Sequence, residues 1–304
     1  MSMEHRRICA VVVSCRSDPE RLALQFERLL PQVDAIVWVD NASPPALRSL
    51  RNRWPPERLH AIWLAENVGV GAAQNRGIEH ALATGASHVL LMDDDSLPAP
   101  DMVSQLHRAL AAHPRAGAAG ARHLDTRRER ERTPFSKVIG TRLQWLPCSD
   151  ETRVWETDHL IASGCLIPAV VLQKVGAMRE DFFIDWVDTE WCLRARRAGW
   201  LLYGVCAARL EHRLGDQLAR VFGREIPRHA PWRHYYQSRN FVLLLRAGHV
   251  RRGECISMGW RQLKRFLVFS TLVPGRWRYL KMWMLGLQHG WQGRSGALVH
   301  PGNR

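Results

Sequence analysis

Residues 89–98 read Val-Leu-Leu-Met-Asp-Asp-Asp-Ser-Leu-Pro, an apolar run that ends in three consecutive carboxylates, Asp93, Asp94 and Asp95. Adjacent carboxylates repel one another, so at the end of a buried strand they must either face solvent or neutralise a cation. Strand alternation sends Asp93 and Asp95 to one side, where they can share a ligand, and turns Asp94 away. A solvated acidic turn is the plainer account of the same triplet. Downstream, Glu211-His212 follows a strand-like segment, Leu201 to Ala207. His212 could complete an octahedral site with Asp93 and Asp95, although a lone histidine usually has a structural role.

A second acidic stretch is Asp181-Phe-Phe-Ile-Asp185-Trp186-Val-Asp188-Thr-Glu190-Trp191. Its helical continuation puts Asp188 near a helix start, where the dipole and free N–H groups favour the ionised form; a helix cap would explain it equally well. Trp186 and Trp191 could form a wall for a sugar ring or simply pack as core. Asp40 stands directly after another strand, placed to accept from a ribose hydroxyl or a base N–H, or to close a turn. Gly69-Val70-Gly71 opens a helix like a phosphate loop. Gln74 replaces the third glycine of the dinucleotide fingerprint, however, so a nicotinamide-dependent oxidoreductase is disfavoured.

The elements that must position these residues alternate. Strands are expected at Ile8 to Val13, Ala35 to Val39, Leu59 to Leu64, His88 to Met92 and Ile161 to Pro168. Helices are expected at Asp18 to Leu30, from Gly71 to Ala83, and from Thr189 to Arg197, where Gly199 stops the last. This is the signature of an α/β architecture with a mainly parallel, mixed sheet flanked by helices, in which ligands bind beyond the carboxyl ends of the strands. The charged run Arg122 to Arg132 is expected to be an exposed loop. After about residue 216 the pattern turns helical and basic, giving a division into 1–215, the catalytic unit, and 216–304, a helical extension.

The 304 residues carry a formal charge of +14. From Arg239 onward there are twelve Lys or Arg and one acid, Glu254, so the excess lies in the C-terminal fifth. Charge alone would suit nucleic acid, but that class leaves the acidic triplet and Asp188 unused, and it is set aside. The seven cysteines are scattered, odd in number and without a Cys-x-x-Cys pair, which predicts reduced thiols in a cytoplasmic protein rather than a zinc site or a disulfide. No apolar run reaches the ~18 residues of a membrane span.

Taken in order, Val-Val-Val-Ser14-Cys15, Val-Asp40-Asn-Ala-Ser, Glu-Asn67-Val-Gly69-Val-Gly-Ala-Ala-Gln-Asn75-Arg-Gly77, Asp93-Asp94-Asp95-Ser, Ser163-Gly164-Cys-Leu, Asp185-Trp-Val-Asp188-Thr-Glu190-Trp and His212-x-x-Gly215 resemble the inverting glycosyltransferases of family 2. The resemblance covers about residues 7 to 250, and within the family it is nearest to bacterial rhamnosyltransferases, through Phe183 to Ala195 and His234-Tyr-Tyr-Gln-Ser-Arg239-Asn240. One departure is Cys15-Arg16, where the family often has Tyr-Asn. The resemblance implies a single GT-A domain that binds a nucleotide sugar through Asp40, Asn67, Gly69, Asn75, Asp93, Asp94 and Asp95. It implies Mg2+ or Mn2+ held by Asp93, Asp95 and His212, and Asp188 as catalytic base, with Asp185 and Glu190 as rivals. Acceptor contacts are implied at Gly164, Asp185, Trp186, Glu190 and Trp191. The implied donor is dTDP-rhamnose, or a UDP-linked hexose such as a galactofuranosyl donor. The implied acceptor is a lipid-linked or polysaccharide hydroxyl in cell-surface glycan synthesis. The basic, Trp-rich C-terminal region then suits the anionic inner face of a membrane; a packed extension or a homo-oligomer contact is the alternative.

Overall fold

A computed structural model of the chain describes residues 6–125, 135–212, 217–221 and 224–298. Most of the charged run at 122–132, and Gly215 of the last motif, lie outside the described residues. The N-terminal part is built from β1 (Ile8–Ser14), α1 (Pro19–Leu29), β2 (Ala35–Asn41), β3 (Leu59–Leu64), α2 (Val70–Ala83), β4 (His88–Asp93), β5 (Leu97–Pro98), α3 (Met102–Ala112) and β6 (Ala116–Leu124). A hairpin of β7 (Phe135–Ile139) and β8 (Arg142–Leu146) follows, then β9 (Val154–Thr157), β10 (Cys165–Pro168), α4 (Ala169–Val175), α5 (Val187–Arg197) and β11 (Leu201–Glu211). A second hairpin, β12 (Gln217–Val221) and β13 (Arg224–Arg228), precedes helices α6 (Pro231–Arg246), α7 (Arg252–Thr271) and α8 (Arg276–Trp291).

The central sheet runs β3-β2-β1-β4-β10-β6-β11-β5, with β9 also paired to β11. The β1, β2, β3 and β4 pairings and the β6–β11 pairing are parallel. Strand β10 is antiparallel to both β4 and β6, and β5 and β9 are antiparallel to β11, so the sheet is evenly mixed. All seven residues of β1 are buried, as expected of a central strand covered on both faces. Its alternation divides the core: Ile8, Ala10 and Val12 face the α1 and α3 layer, while Cys9, Val11 and Val13 face α2 and the C-terminal side. Helix α1 begins where Asp18 accepts the Glu20 N–H at 3.0 Å and Pro19 takes the first turn. It then buries Leu22, Phe26 and Leu29 along one stripe.

Several expectations change here. The strand expected from Ile161 begins only at Cys165, because 161–164 form a loop that positions Ser163. The region after 216 opens with a hairpin rather than a helix. Strands β6 to β9 and helix α3 were not anticipated: β6 is rich in Ala and Gly, and the hairpins are short. The expectation of reduced thiols throughout is overturned at one pair, since Cys148 and Cys206 form a disulfide with Cα atoms 5.4 Å apart. Their sequence separation of 58 hid a proximity created by the fold rather than by spacing. Cys9, Cys15, Cys165, Cys192 and Cys255 are free. Among the described residues, no helix is long and apolar enough to cross a membrane.

Candidate active site

Strand register assembles the first half of the site. Ser14 pairs with Asp40 and Val13 with Asp93, so β1, β2 and β4 end side by side. Asp40 is almost fully buried; it accepts from the Ser14 hydroxyl at 2.8 Å and from the Ser43 N–H at 3.0 Å. Trp38 in turn donates to Ser14 at 2.7 Å. At the rim, Asn67 accepts from Asn41 and from the Gly69 N–H, both at 2.9 Å, and its amide lies 3.6 Å from the Cys15 sulfur. Gly69 has φ +89°, and a Cβ there would come within 2.6 Å of the Phe183 carbonyl. Its role in this structure is to let the chain pass against Phe183, whose carbonyl receives the Val70 N–H at 2.7 Å.

The acidic triplet is pinned from below by α1. Gln25 donates to the carbonyls of Asp93 and Ser96 at 2.6 and 2.7 Å, and Arg21 to the Asp95 carbonyl at 2.6 and 2.9 Å. Asp94 turns aside as alternation predicts, accepting from the Cys15 N–H at 3.1 Å and from the Ser17 hydroxyl. Asp93, Asp95 and His212 each present a ligand atom within 4.8 Å of the others. Strand β5 makes this possible: Glu211 pairs with Leu97, which carries His212 to Asp95 (Nδ1 to Oδ1, 2.9 Å) and to the Ser96 hydroxyl (2.8 Å). Ser163 closes the cluster, accepting from the Asp93 N–H at 3.0 Å and lying 2.7 Å from the Ser96 hydroxyl.

Burial, reinforced by the charges of Asp95, Asp94 and Asp188, pushes Asp93 up to about 7 despite the opposing pull of His212. Burial also raises Asp94. Burial would raise Asp95 too, but the hydrogen bond and charge of His212, with Arg21, hold it below the ordinary value. For His212, burial is outweighed by Asp95 and Asp93, and the imidazole is raised. At Asp93 burial leads the rise and the three neighbouring carboxylates add to it, a combination that a bound cation would offset. Two carboxylates and one imidazole are also a donor set that suits Mn2+ or Mg2+, so the residues fit a divalent cation.

The second half of the site is the loop into α5. Phe183, Asp185 and Trp186 all have positive φ (65°, 64° and 70°), a strained run that persists only where its surroundings hold it. Helix α6 does so. The buried Asn240 amide donates to the carbonyls of Phe182 and Ile184 at 2.8 Å and of Asp185 at 3.1 Å, and Arg239 donates to Phe182 at 2.9 Å. Asp188 lies at the second position of α5, its carboxylate accepting from the Thr189 N–H at 2.7 Å. Burial raises its carboxyl above the ordinary range. Asp185, Trp186, Asp188, Thr189, Gln237, Arg261 and Arg265 are among the residues that line a cavity of about 420 Å³.

Not every anticipated residue reaches the site. Glu190 is buried and paired with Arg194 at 2.9 Å, and Trp191 packs in the core, donating to the Gly176 carbonyl at 3.1 Å. Asp185 faces the cavity, but both its oxygens are taken by Arg233 at 2.8 and 3.2 Å, which leaves Asp188 as the carboxylate without a cationic partner there. Asn75 is buried and occupied with Met178 and Glu180, tying α2 to the loop before α5 instead of facing a ligand. Gly164 is also internal; a Cβ there would meet Leu210 at 2.7 Å and Ala121 at 2.8 Å. The clamp made by Arg239 and Asn240 was visible in the sequence only as part of a motif, with no indication of its task.

Comparison with known proteins agrees with this geometry. Residues 10–169 match the family model "Glycosyl transferase family 2", and the chain belongs to that family; it is a glycosyltransferase. It is 30% identical to the dTDP-rhamnosyl transferase RfbF of Shigella flexneri over 95% of this chain and 97% of that protein. It is 28% identical to the galactofuranosyltransferase GlfT1 of Mycolicibacterium smegmatis, over 94% and 98% of the two chains. Among solved structures, S. aureus TarS 1-349 in complex with UDP-GlcNAc superposes with a TM-score of 0.60 at 12% identity, covering 95% of this chain and 81% of that one. GalNAc-T7 with UDP, GalNAc and Mn2+ superposes with a TM-score of 0.57 at 11% identity, covering 90% and 59%. These likenesses define a GT-A-like fold, and a nucleotide-sugar donor fits it.

Proposed function

We propose that the chain transfers L-rhamnose from dTDP-rhamnose, with inversion, to a hydroxyl of a lipid-linked or polysaccharide acceptor. The observation that carries the donor assignment is the 30% identity to a dTDP-rhamnosyl transferase along nearly the whole of both chains. In this reading Asp40 and Asn67 hold the nucleoside at the ends of β2 and β3. A divalent cation bound by Asp93, Asp95 and His212 would offset the negative charge that develops on the departing diphosphate. Asp188 takes the proton from the acceptor hydroxyl as that oxygen attacks the anomeric carbon. Its raised carboxyl brings its proton affinity closer to what a base working near neutral pH needs. The strained 183–186 loop and its Asn240 clamp fix Asp188 relative to the donor.

The matching coverage of the galactofuranosyltransferase supports a second donor reading, a UDP-linked galactofuranose. A transfer and hydrolysis screen over dTDP-rhamnose and UDP-hexoses, with Mg2+, Mn2+ or EDTA, decides between them. Cation-dependent turnover of dTDP-rhamnose is expected, and turnover confined to UDP-sugars would replace the rhamnose assignment.

The acceptor is proposed to be presented at an anionic membrane surface. Helix α7 exposes Ile256, Trp260, Leu263 and Leu267 along one face, and Trp277 of α8 is 69% exposed beside Arg276. Flotation with phosphatidylglycerol vesicles is expected for the full chain and is expected to weaken several-fold in a Trp260→Ser, Leu267→Ser variant. Equal flotation of the two would remove the membrane from this account.

A further inference from the structure

The cavity beside Asp188 has a wall that the transfer chemistry above does not use. Arg261 and Arg265 stand one turn apart on α7 and both line the cavity. Like charges at this spacing destabilise a helix, and turning both inward adds a desolvation cost. The charge of Asp185 offsets part of that cost at Arg265, but among the described residues no carboxylate does so at Arg261. Among the described residues Arg261 has no hydrogen-bond or ion-pair partner, and its buried Nε is unsatisfied. Arg265 makes one hydrogen bond, to the Gln237 amide oxygen at 2.9 Å. Burial and the neighbouring Arg265 pull the Arg261 guanidinium below its ordinary value.

The neighbours are equally unfulfilled. Both ring nitrogens of His159, which also lines the cavity, are buried without a partner, as is the side-chain oxygen of Gln262. Burial, then the charges of Arg261 and Arg196, push His159 down to about 3, so it is a neutral donor at physiological pH. The carboxylates in the cavity supply no anion to Arg261: Asp185 pairs with Arg233 at 2.8 Å and its charge also acts on Arg265, while Asp188 is raised by burial and accepts from Thr189.

Helix α7 buries Met258 and Phe269 but leaves a second apolar row, Ile256, Trp260, Leu263 and Leu267, exposed to solvent, while Arg261 and Arg265 line the cavity. That arrangement suits a ligand whose apolar part lies outside the protein and whose anionic part enters the cavity.

We propose that Arg261 and Arg265, assisted by His159, bind a phosphate oxyanion carried by the acceptor and thereby place the acceptor hydroxyl at Asp188. The forked guanidinium matches a tetrahedral oxyanion, and a phosphate ester is the chemistry that recognises both arginines at once. The inference rests on the glycosyl-transfer reading and deepens it by naming the acceptor class. The oxyanion could belong to a lipid headgroup or to a soluble phosphate.

The test is calorimetric titration of the full chain with octyl phosphate in EDTA, with octyl glucoside as the neutral comparator. Octyl phosphate is expected to bind the unsubstituted protein. Arg261→Gln and Arg265→Gln are each expected to weaken it about tenfold or more, with Arg261→Lys intermediate because it keeps the charge and loses the fork. Asp95→Asn, which disables the other half of the site, is expected to leave octyl phosphate affinity within about twofold. Inorganic phosphate that displaces octyl phosphate at similar concentration would support the oxyanion site and assign it to soluble phosphates. Failure to displace, with arginine dependence retained, would support it and assign the site to a lipid headgroup. Unchanged affinity in a folded Arg261→Gln protein, or equal binding of octyl glucoside, would overturn the proposal. Because the readout needs no donor, a protein that turns over no nucleotide sugar can still pass this test, so the two readings fail separately.

Discussion

The strand ends proposed to hold the donor and the helical wall of the cavity proposed to take the acceptor adjoin at Asp188, yet they are held in place by different physics. At the donor end, neighbouring strands fix the geometry: Ser14 stands against Asp40, Val13 against Asp93, and Glu211 against Leu97. The side chains there are crowded carboxylates with neighbours already in place. In the acceptor half, Asn240 of α6 reaches back 55 to 58 positions to grip a strained loop, and α7 aims two guanidiniums into the cavity, of which Arg261 has no counter-ion among the described residues. A ligand group placed by backbone pairing is rigid before anything binds. One placed by long side chains on packed helices depends on the packing and is completed by its ligand.

That contrast sets the expected sizes of substitutions. Asp95→Asn removes one member of the carboxylate–imidazole cluster and should lower transfer by about 10³-fold with little change in melting temperature. A loss under tenfold would show that the cluster is dispensable. In the acceptor half the same kind of change should act through structure. Asn240→Ala leaves the carbonyls of Phe182, Ile184 and Asp185 without their shared donor and should destabilise the fold by about 3 kcal/mol. It should also lower kcat more than it raises the donor KM; a stable variant with normal kcat would separate the clamp from Asp188.

Acid should act on the acceptor half as well. Burial pushes both His159 and His234 down to about 3, and all four of their ring nitrogens are unpartnered. Unfolded histidine titrates near 6.5, so between that pH and about 3 the unfolded chain binds protons the folded chain does not. Stability therefore falls as pH drops through this window, by about 3 kcal/mol in total between pH 6.5 and pH 5 for the two groups. Urea midpoints across that range check it, and a flat profile would contradict neutral burial of the two rings.

How much of this could be read in advance follows the same division. Asp40, Asp93, Asp95 and His212 were legible because chemistry at strand ends compresses into short motifs, and alternation even separated Asp94 from its neighbours. Motifs do not, however, distinguish a residue that meets a ligand from one that holds the loop. Asn75, Gly164, Glu190 and Trp191 lie in motifs and are internal, while Gly69 serves an approach to Phe183. Arg261 and Arg265 were invisible for the opposite reason. In a segment with twelve basic residues, nothing in the spacing marks the two that line the cavity. The Cys148–Cys206 bridge was hidden because only the folded chain brings those positions together.

The central claim is that one site binds a nucleotide sugar at the sheet end and activates the acceptor hydroxyl through Asp188. The most direct test is Asp188→Asn, assayed in parallel for binding of the donor nucleotide and for transfer. Nucleotide affinity within about twofold of the unsubstituted protein, with transfer reduced by at least about 10³-fold, is the predicted result. Transfer within tenfold of the unsubstituted protein would contradict it and move the base to another residue.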